Sequence, residues 1–169
     1  TEAYHGETIG ALSVGSMDLF AEMYRPMMMD NIHVEAPDCY RCPYGETRER
    51  CDCPCFEHAE RAFARHAHET AAIIVEPLLQ GCAGMRIYPP LYLRKLRALC
   101  DAYDVKLICD EIATGFGRTG RMFAIEHFGV APDIMTMAKA LGNGAPISAF
   151  IATPEIADTY TKPGASTLG

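Results

Sequence analysis

Two charged residues, Asp110 and Lys139, lie 29 positions apart, each at the end of a short apolar segment. Asp110 completes Leu-Ile-Cys-Asp, and Lys139 completes Ile-Met-Thr-Met-Ala-Lys. A carboxylate at the end of a buried strand is costly unless it has a partner. An amine that is withdrawn from water can attack a carbonyl carbon. The pair predicts an enzyme that works with an electrophilic cofactor, and Gly142 and Gly144 would let the chain turn tightly beside it.

The elements that must position this pair alternate between apolar strands and helices. Strands are predicted at residues 71–76, 105–109, 134–137 and 147–152. Helices are predicted within 5–20, at 57–69, at 90–103, and from Pro154 onward. This alternation predicts an α/β fold with a mostly parallel central sheet and flanking helices. Ligands bind such sheets beyond the carboxyl ends of the strands, which is where Glu76, Asp110 and Lys139 fall.

Composition limits the classes of function. The chain has 169 residues, is 49% hydrophobic and carries a net charge of −7. This charge argues against binding to nucleic acid or to an anionic membrane. No apolar run approaches the roughly 20 residues of a membrane span, and the absence of a secretion-signal pattern predicts a cytoplasmic protein. The chain begins and stops inside motifs, so we expect an internal fragment of a longer protein.

Five motifs together resemble the class III aminotransferases, which are pyridoxal-phosphate (PLP) enzymes of fold type I. The motifs are Tyr-His-Gly at 4–6, Glu-Pro-Leu-Leu-Gln-Gly at 76–81, Asp-Glu-Ile-Ala-Thr-Gly-Phe-Gly-Arg-Thr-Gly at 110–120, Ala-Lys-Ala-Leu-Gly-Asn-Gly at 138–144 and Ser-Thr-Leu-Gly at 166–169. The resemblance covers nearly the whole chain. It implies that residues 1–169 form part of the PLP-binding large domain.

The resemblance also implies roles for individual residues. Lys139 would form the Schiff base with PLP and relay a proton during catalysis, while Asp110 would keep the pyridine nitrogen protonated. Tyr4 would stack on one face of the ring and Ile112 would press on the other. The remaining implied cofactor-binding residues are His5, Gly6, Glu76 and Thr167. In the family, the glutamate at the position of Glu76 can pair with an active-site arginine. Thr167 would bind the phosphate held by the neighbouring subunit of a homodimer.

The implied reaction is a ping-pong transfer of an amino group from a small-molecule amine donor to a carbonyl acceptor. Three segments are most similar to the branch that aminates 8-amino-7-oxononanoate in biotin synthesis: Tyr4–Val14, Gln80–Tyr88 and the segment that contains Ala113. Glu7 and the segment 142–147 depart from that branch. The 4-aminobutyrate, ornithine and alanine–glyoxylate types therefore stay open, as does a PLP aminomutase or racemase. Because the family's phosphate loop and substrate arginine fall outside these motifs, we expect little activity from the isolated chain.

Two further features leave alternatives open. Arg118 is placed either to bind a substrate carboxylate or to hold a glycine-rich loop. Five of the eight cysteines (Cys39, Cys42, Cys51, Cys53 and Cys55) lie close together, with His58 beyond them. They could supply zinc ligands to a noncatalytic module, although their spacing matches no standard zinc knuckle. Because cysteine-bearing inserts occur here in similar enzymes, we predict an irregular structural excursion at about residues 36–56 without a metal.

Overall fold

A computed structural model describes residues 1–162, except for the side chain of Thr161. Its strands are β1 (Ala72–Val75), β2 (Leu79–Gln80), β3 (Arg86–Ile87), β4 (Lys106–Asp110), β5 (Ile134–Met137) and β6 (Ala149–Ala152). The main sheet has the order β1-β4-β5-β6, with β1, β4 and β5 parallel and β6 antiparallel to β5. β2 and β3 form a separate antiparallel hairpin. The predicted α/β architecture with a mostly parallel sheet is confirmed.

The helices flank this sheet. The α-helices are α1 (Ile9–Val14), α2 (Asp18–Ala21), α3 (Glu57–His66), α4 (Pro90–Tyr103) and α5 (Pro154–Thr161). Short 3₁₀ helices lie at Glu22–Met27, Pro54–Phe56, Ala67–Glu69, Ala124–His127 and Lys139–Leu141. Within residues 1–162, none of these helices combines the length and the apolar character needed to cross a membrane.

Helix α4 matches its predicted bounds because local signals define both ends. Pro90 opens the helix at its first position, where a missing N–H costs nothing, and Asp104 ends it in the left-handed conformation. Leu93, Leu96 and Cys100 form its buried face. This face packs with α3 and the sheet in one apolar core, where each fully buried large side chain contributes about 1.5–3 kcal/mol.

The last predicted strand is shorter than expected and runs in the opposite direction to its neighbour. The segment between β5 and β6 turns back on itself, with Ala145 N–H donating to Gly142 O and Ile147 N–H donating to Ala145 O. A parallel connection needs a crossover of about a dozen residues or more, usually through a helix. Residues 138–148 provide only a 3₁₀ turn, so β6 begins at Ala149 and pairs antiparallel with β5.

Asp133, just before β5, joins three strands at the end of the sheet opposite Lys139. Its Oδ2 accepts the Leu107 N–H at 2.7 Å, its own N–H donates to Leu107 O at 2.9 Å, and its carbonyl accepts the Thr153 N–H at 3.0 Å. Arg97 contacts the same Oδ2 at 2.7 Å. Burial opposes the charge of Asp133, but these donors outweigh it and hold the carboxyl pKa below its ordinary value.

Candidate active site

Asp110 is the last residue of β4, and its carboxylate is held on both oxygens. Its Oδ1 accepts the Ile112 N–H at 2.9 Å, and its Oδ2 lies 2.8 Å from His5 Nδ1. The Asp110 and His5 side chains are only 4% and 3% exposed. A carboxylate offers about four lone-pair directions, so Asp110 can accept a further hydrogen bond from a ligand.

Lys139 follows the end of the neighbouring strand. Asp110 is paired in register with Thr136, so Lys139 lies three residues beyond the partner of Asp110 at the same edge of the sheet. Lys139 has φ 47°, a left-handed conformation that costs a non-glycine residue about 1–2 kcal/mol. Strained backbone of this kind concentrates at functional sites.

The turn after Lys139 fixes that strained residue. The N–H groups of Gly142 and Asn143 both donate to Lys139 O, at 3.1 and 3.0 Å. A Cβ on Gly142 would lie 2.1 Å from Ala145 O, far inside any permitted contact. Glycine is therefore required at 142 for the turn that presents the amine.

Glu76 directly follows β1 and ties two other segments to the same edge. Its Oε1 accepts the Tyr4 N–H at 3.2 Å, and its Oε2 accepts the Gly81 N–H at 2.9 Å. Burial raises the pKa of Glu76, and the two N–H donors and His5 partly oppose that rise. The carboxylate thus joins the N-terminal segment and the β2–β3 hairpin to the strand ends.

The N-terminal segment brings His5 to Asp110. Gly6 has φ +127°, which L side chains rarely adopt, and this lets the chain turn between His5 and α1. The Tyr4 ring packs on Phe20 with centroids 5.0 Å apart, and its hydroxyl donates to Glu7 Oε1 at 3.2 Å. Tyr4 and His5 therefore reach the same edge as Asp110 and Glu76, and the predicted roles of Tyr4, His5 and Gly6 in cofactor binding stay predictions.

Two buried polar atoms near Asp110 have no hydrogen-bond partner within the described part of the chain: His5 Nε2 and Thr136 Oγ1. Thr136 is the register partner of Asp110, so the two side chains leave the sheet on the same face. Buried polar groups in native proteins are nearly always satisfied. Half-buried Ile112 adds an apolar surface beside them. A carboxylate, an amine, unpartnered polar atoms and an apolar flank fit the pyridine ring and aldehyde of PLP.

The sequence did not predict that His5 bonds Asp110, because the two residues lie 105 positions apart. It also missed Thr136 and Cys82. Cys82 is exposed on the β2–β3 loop, where Glu76 and Lys139 act on it electrostatically. Burial and then Glu76 raise the pKa of its thiol, and Lys139 lowers it. No local sequence signal distinguishes Thr136 and Cys82 from packing residues, and the motif that contains His5 does not reveal its partner.

The remaining predicted site residues are not brought into the cluster. Arg118 is exposed in the glycine-rich loop, so both of its predicted roles stay open. That loop is anchored by the fully buried Glu111, whose Oε1 accepts the Ile125 N–H at 2.9 Å and whose Oε2 accepts the Thr114 hydroxyl. Thr167 lies outside the described residues. Among residues 1–162, no group of three or more His, Cys, Asp or Glu side chains has a metal-binding arrangement.

Comparison with known proteins identifies relatives along the whole chain. The family model described as Aminotransferase class-III matches residues 1–169. An adenosylmethionine-8-amino-7-oxononanoate aminotransferase of Geobacter sulfurreducens is 45% identical over 95% of this chain. A leucine/methionine racemase of Thermococcus litoralis is 41% identical over 96% of it. The chain spans only 36% and 37% of the lengths of these two relatives.

The fold has solved counterparts as well. An amine transaminase from an uncultivated Pseudomonas species, solved in its PLP-bound form, has a TM-score of 0.85 and 34% sequence identity to this chain. The match covers 93% of this chain and 36% of the transaminase chain. The fold of this chain thus corresponds to about a third of that transaminase chain.

Proposed function

The chain belongs to the class-III aminotransferase family, and from this premise we propose that the protein is a PLP-dependent transaminase. It moves an amino group from a small-molecule amine to a carbonyl acceptor. The observation that carries the proposal is the placement of Asp110 and Lys139 at the ends of adjacent parallel strands. When bound, PLP supplies an electrophilic aldehyde and an electron-withdrawing pyridine ring.

Asp110 holds a proton on the ring nitrogen in this proposal. One carboxylate oxygen is oriented by the Ile112 N–H and the other by His5 Nδ1, so the side chain is already in place before the cofactor binds. A buried carboxylate stabilises a nearby cation more strongly than one exposed to water. His5 keeps Asp110 oriented through Nδ1, and its buried Nε2 has no hydrogen-bond partner among the described residues.

Lys139 has two tasks. Its amine would hold the cofactor covalently and would then carry the proton to and from the substrate carbon next to the transferred nitrogen. The turn through Gly142 and Asn143 fixes the lysine backbone at the mouth of the site. Ile112 and Tyr4 would flank the ring, and the bond from the Tyr4 N–H to Glu76 together with the turn at Gly6 ties the N-terminal segment to the strand ends.

The substrate proposed for the whole protein is 8-amino-7-oxononanoate, with adenosylmethionine as the amine donor. The 45% identity to the Geobacter enzyme supports it, as do the motifs at Tyr4–Val14 and Gln80–Tyr88. We further propose a cytoplasmic homodimer in which Thr167 binds the cofactor phosphate of the neighbouring subunit. These finer statements rest on similarity rather than on the geometry of the described residues.

A racemase is the second candidate, because the Thermococcus relative with that name is 41% identical. Both reactions need the same acid and amine, and they differ in where the proton returns. Incubating the whole protein, rather than the isolated 169-residue chain, with PLP, 8-amino-7-oxononanoate and adenosylmethionine, and separately with PLP and L-leucine, distinguishes them. The transaminase produces an aminated acceptor, whereas the racemase produces D-leucine without any keto product.

The test of the site is spectroscopic and covalent. Purified protein with PLP is expected to show the visible absorption band of a lysine-bound cofactor, and borohydride reduction should leave the cofactor mass on Lys139. Lys139→Ala should lose both signals. The matched control is Lys106→Ala, which alters a partly exposed lysine at the opposite end of β4. Retention of the band in Lys139→Ala, or loss in both variants, contradicts the assignment.

A further inference from the structure

Strand β1 is the first strand in the order of the main sheet, and within residues 1–162 no strand pairs with its outer side. Its sequence, Ala-Ile-Ile-Val, lacks the charges and proline that protect an exposed outer strand from pairing. The Lys106 N–H of β4 donates to Ala71 O. Because backbone groups alternate in direction along a strand, Ala72 and Ile74 point their N–H and C=O groups away from β4.

A groove of about 810 Å³ runs along this outer side. β1 lines it, and so do residues 30–37, which contain no helix or strand. Apolar side chains of other elements line it as well, among them Phe63 and Tyr88. Gln80 also lines the groove, and its buried Oε1 has no hydrogen-bond partner among the described residues. The groove thus combines apolar surface with hydrogen-bonding groups that lack partners.

Thr1 lines the same groove and is bonded to residues 30–37 in a strand-like way. Its amine donates to Val34 O, and the Ala36 N–H donates to Thr1 Oγ1 at 3.0 Å. In a parallel ladder, one residue donates to a residue of its neighbour and accepts from the residue two positions later. Thr1 has this relation to Val34 and Ala36, with its hydroxyl in place of its carbonyl. The N-terminal segment therefore begins as a parallel neighbour of residues 34–36.

The direction of the N-terminal segment is set by its next contacts. Thr1 and Ala3 line the groove, and the Tyr4 N–H donates to Glu76 Oε1 at 3.2 Å. Glu76 directly follows β1, so the segment runs towards the carboxyl end of that strand. A chain that led to Thr1 in the same direction would pass between β1 and residues 30–34, parallel to β1. The connection from Tyr4 to β1 contains α3 and is long enough for a parallel crossover.

We propose that the residues preceding Thr1 in the whole protein form an additional strand that fills this groove. The chain spans only 36% of the length of the Geobacter relative, so a longer protein has chain to supply it. The strand is parallel to β1 and pairs with the outward backbone groups of Ala72 and Ile74. It has a typical length of about five residues. These are mainly apolar, because strands of parallel sheets are buried on both faces.

The additional strand gives all the parallel strands a common relation to the active site. β1 ends just before Glu76, β4 ends at Asp110, and Lys139 follows β5. The additional strand ends just before Tyr4 and His5, whose bonds reach Glu76 and Asp110. The partner of the Asp110 carboxylate is therefore positioned by a strand of the same sheet.

Photo-crosslinking in the whole protein tests the position of the strand. A diazirine analogue of leucine replaces Ile74 and, in a matched control, its register partner Ile108. Ile108 already has a strand neighbour on each side, Ile74 and Ile134, so its lateral links should fall in β1 and β5. The analogue at position 74 should also link to the peptide that precedes Thr1. Links to residues 30–37 without that peptide, or to β1 of a second molecule, overturn the proposal.

Hydrogen exchange in the same protein is the second measurement. The Ile74 N–H points away from β4, so pairing with the additional strand should slow its exchange on the order of a thousandfold relative to an unstructured peptide. The Ile73 N–H points towards β4 and is the control, which should exchange slowly in either case. Exchange at Ile74 within about tenfold of the unstructured rate overturns the proposal. Neither measurement requires PLP, so the result is independent of the proposed function.

Discussion

The strand-end site differs in its contacts from the irregular segment at residues 28–53, which we call the excursion. At the site, charged side chains are buried and bonded to segments far away in sequence, as His5 is to Asp110 and Tyr4 is to Glu76. The first part of the excursion is also bonded to the distant N-terminal region, but in its later part Asp38 accepts the N–H groups of residues two and three positions later, in contact with solvent. Long-range bonds need the whole sheet to be folded, so we expect the site to be lost cooperatively and the later part of the excursion to open locally.

Backbone strain follows the same division. Leu78, Phe116, Lys139 and Asn143 have positive φ and lie in segments that follow or connect the strand ends. In the excursion the corresponding non-glycine residue is Cys53, which lies on the core. Strain is tolerated where surrounding structure over-determines the conformation. Four of the eight described non-glycine residues with positive φ therefore lie in segments beside the strand ends, and only one of the eight lies in the excursion.

The largest expected difference between the regions concerns glycine. Gly142→Ala should lower the free energy of unfolding by about 3 kcal/mol, because its Cβ would lie 2.1 Å from Ala145 O. Gly45→Ala in the excursion should cost about 1 kcal/mol, since only its positive φ opposes a side chain and nothing lies within 4 Å. Urea denaturation of both variants measures the contrast. Equal costs would show that the turn after Lys139 is as adaptable as the excursion.

A smaller contrast is expected between a buried histidine–carboxylate pair at the site and a more exposed one that involves the excursion. His5→Phe should destabilise the protein by about 2 kcal/mol, because it leaves the buried Asp110 with a single N–H donor. His58→Phe in the matched pair with Glu35 should cost about 0.5 kcal/mol, since Glu35 is 54% exposed. Thermal or urea unfolding gives both values. A larger loss at His58 would contradict the proposed difference in burial.

The smallest effect concerns pH. Burial raises the pKa of Glu76, so between the ordinary and the raised value the folded state holds a proton that the unfolded state has lost. The contribution of Glu76 to the free energy of unfolding is fully present below the ordinary pKa. It is lost as pH rises through the raised pKa of the folded state. Glu76→Gln should remove that loss, while the exposed control Glu49→Gln should leave it unchanged. Unfolding free energies across mildly acidic pH provide the measurement, and identical slopes in wild type and Glu76→Gln would be the contrary result.

Local signals predicted much of this fold. Pro90 and the apolar face of α4 defined that helix, and apolar runs before Glu76, Asp110 and Lys139 defined three strands and the edge where these residues meet. The β2–β3 hairpin was missed because strands of two residues show no alternation. The bond from His5 to Asp110 and the direction of β6 depend on how distant segments pack, which no local pattern contains. The roles of the site residues in catalysis stay predictions.

Asp133 has a consequence for the distance between the sheet and the reactive amine. Because its carboxylate, amide and carbonyl engage β4 and the end of β6 together, slippage of β5 by one residue would break all three contacts at once. Such a slip would also turn every β5 side chain to the opposite face. The register of β5 is therefore fixed at the end of the strand that contains Asp133. Because Lys139 follows Asp133 by six residues, this register also fixes the position of the Lys139 backbone relative to the end of the sheet.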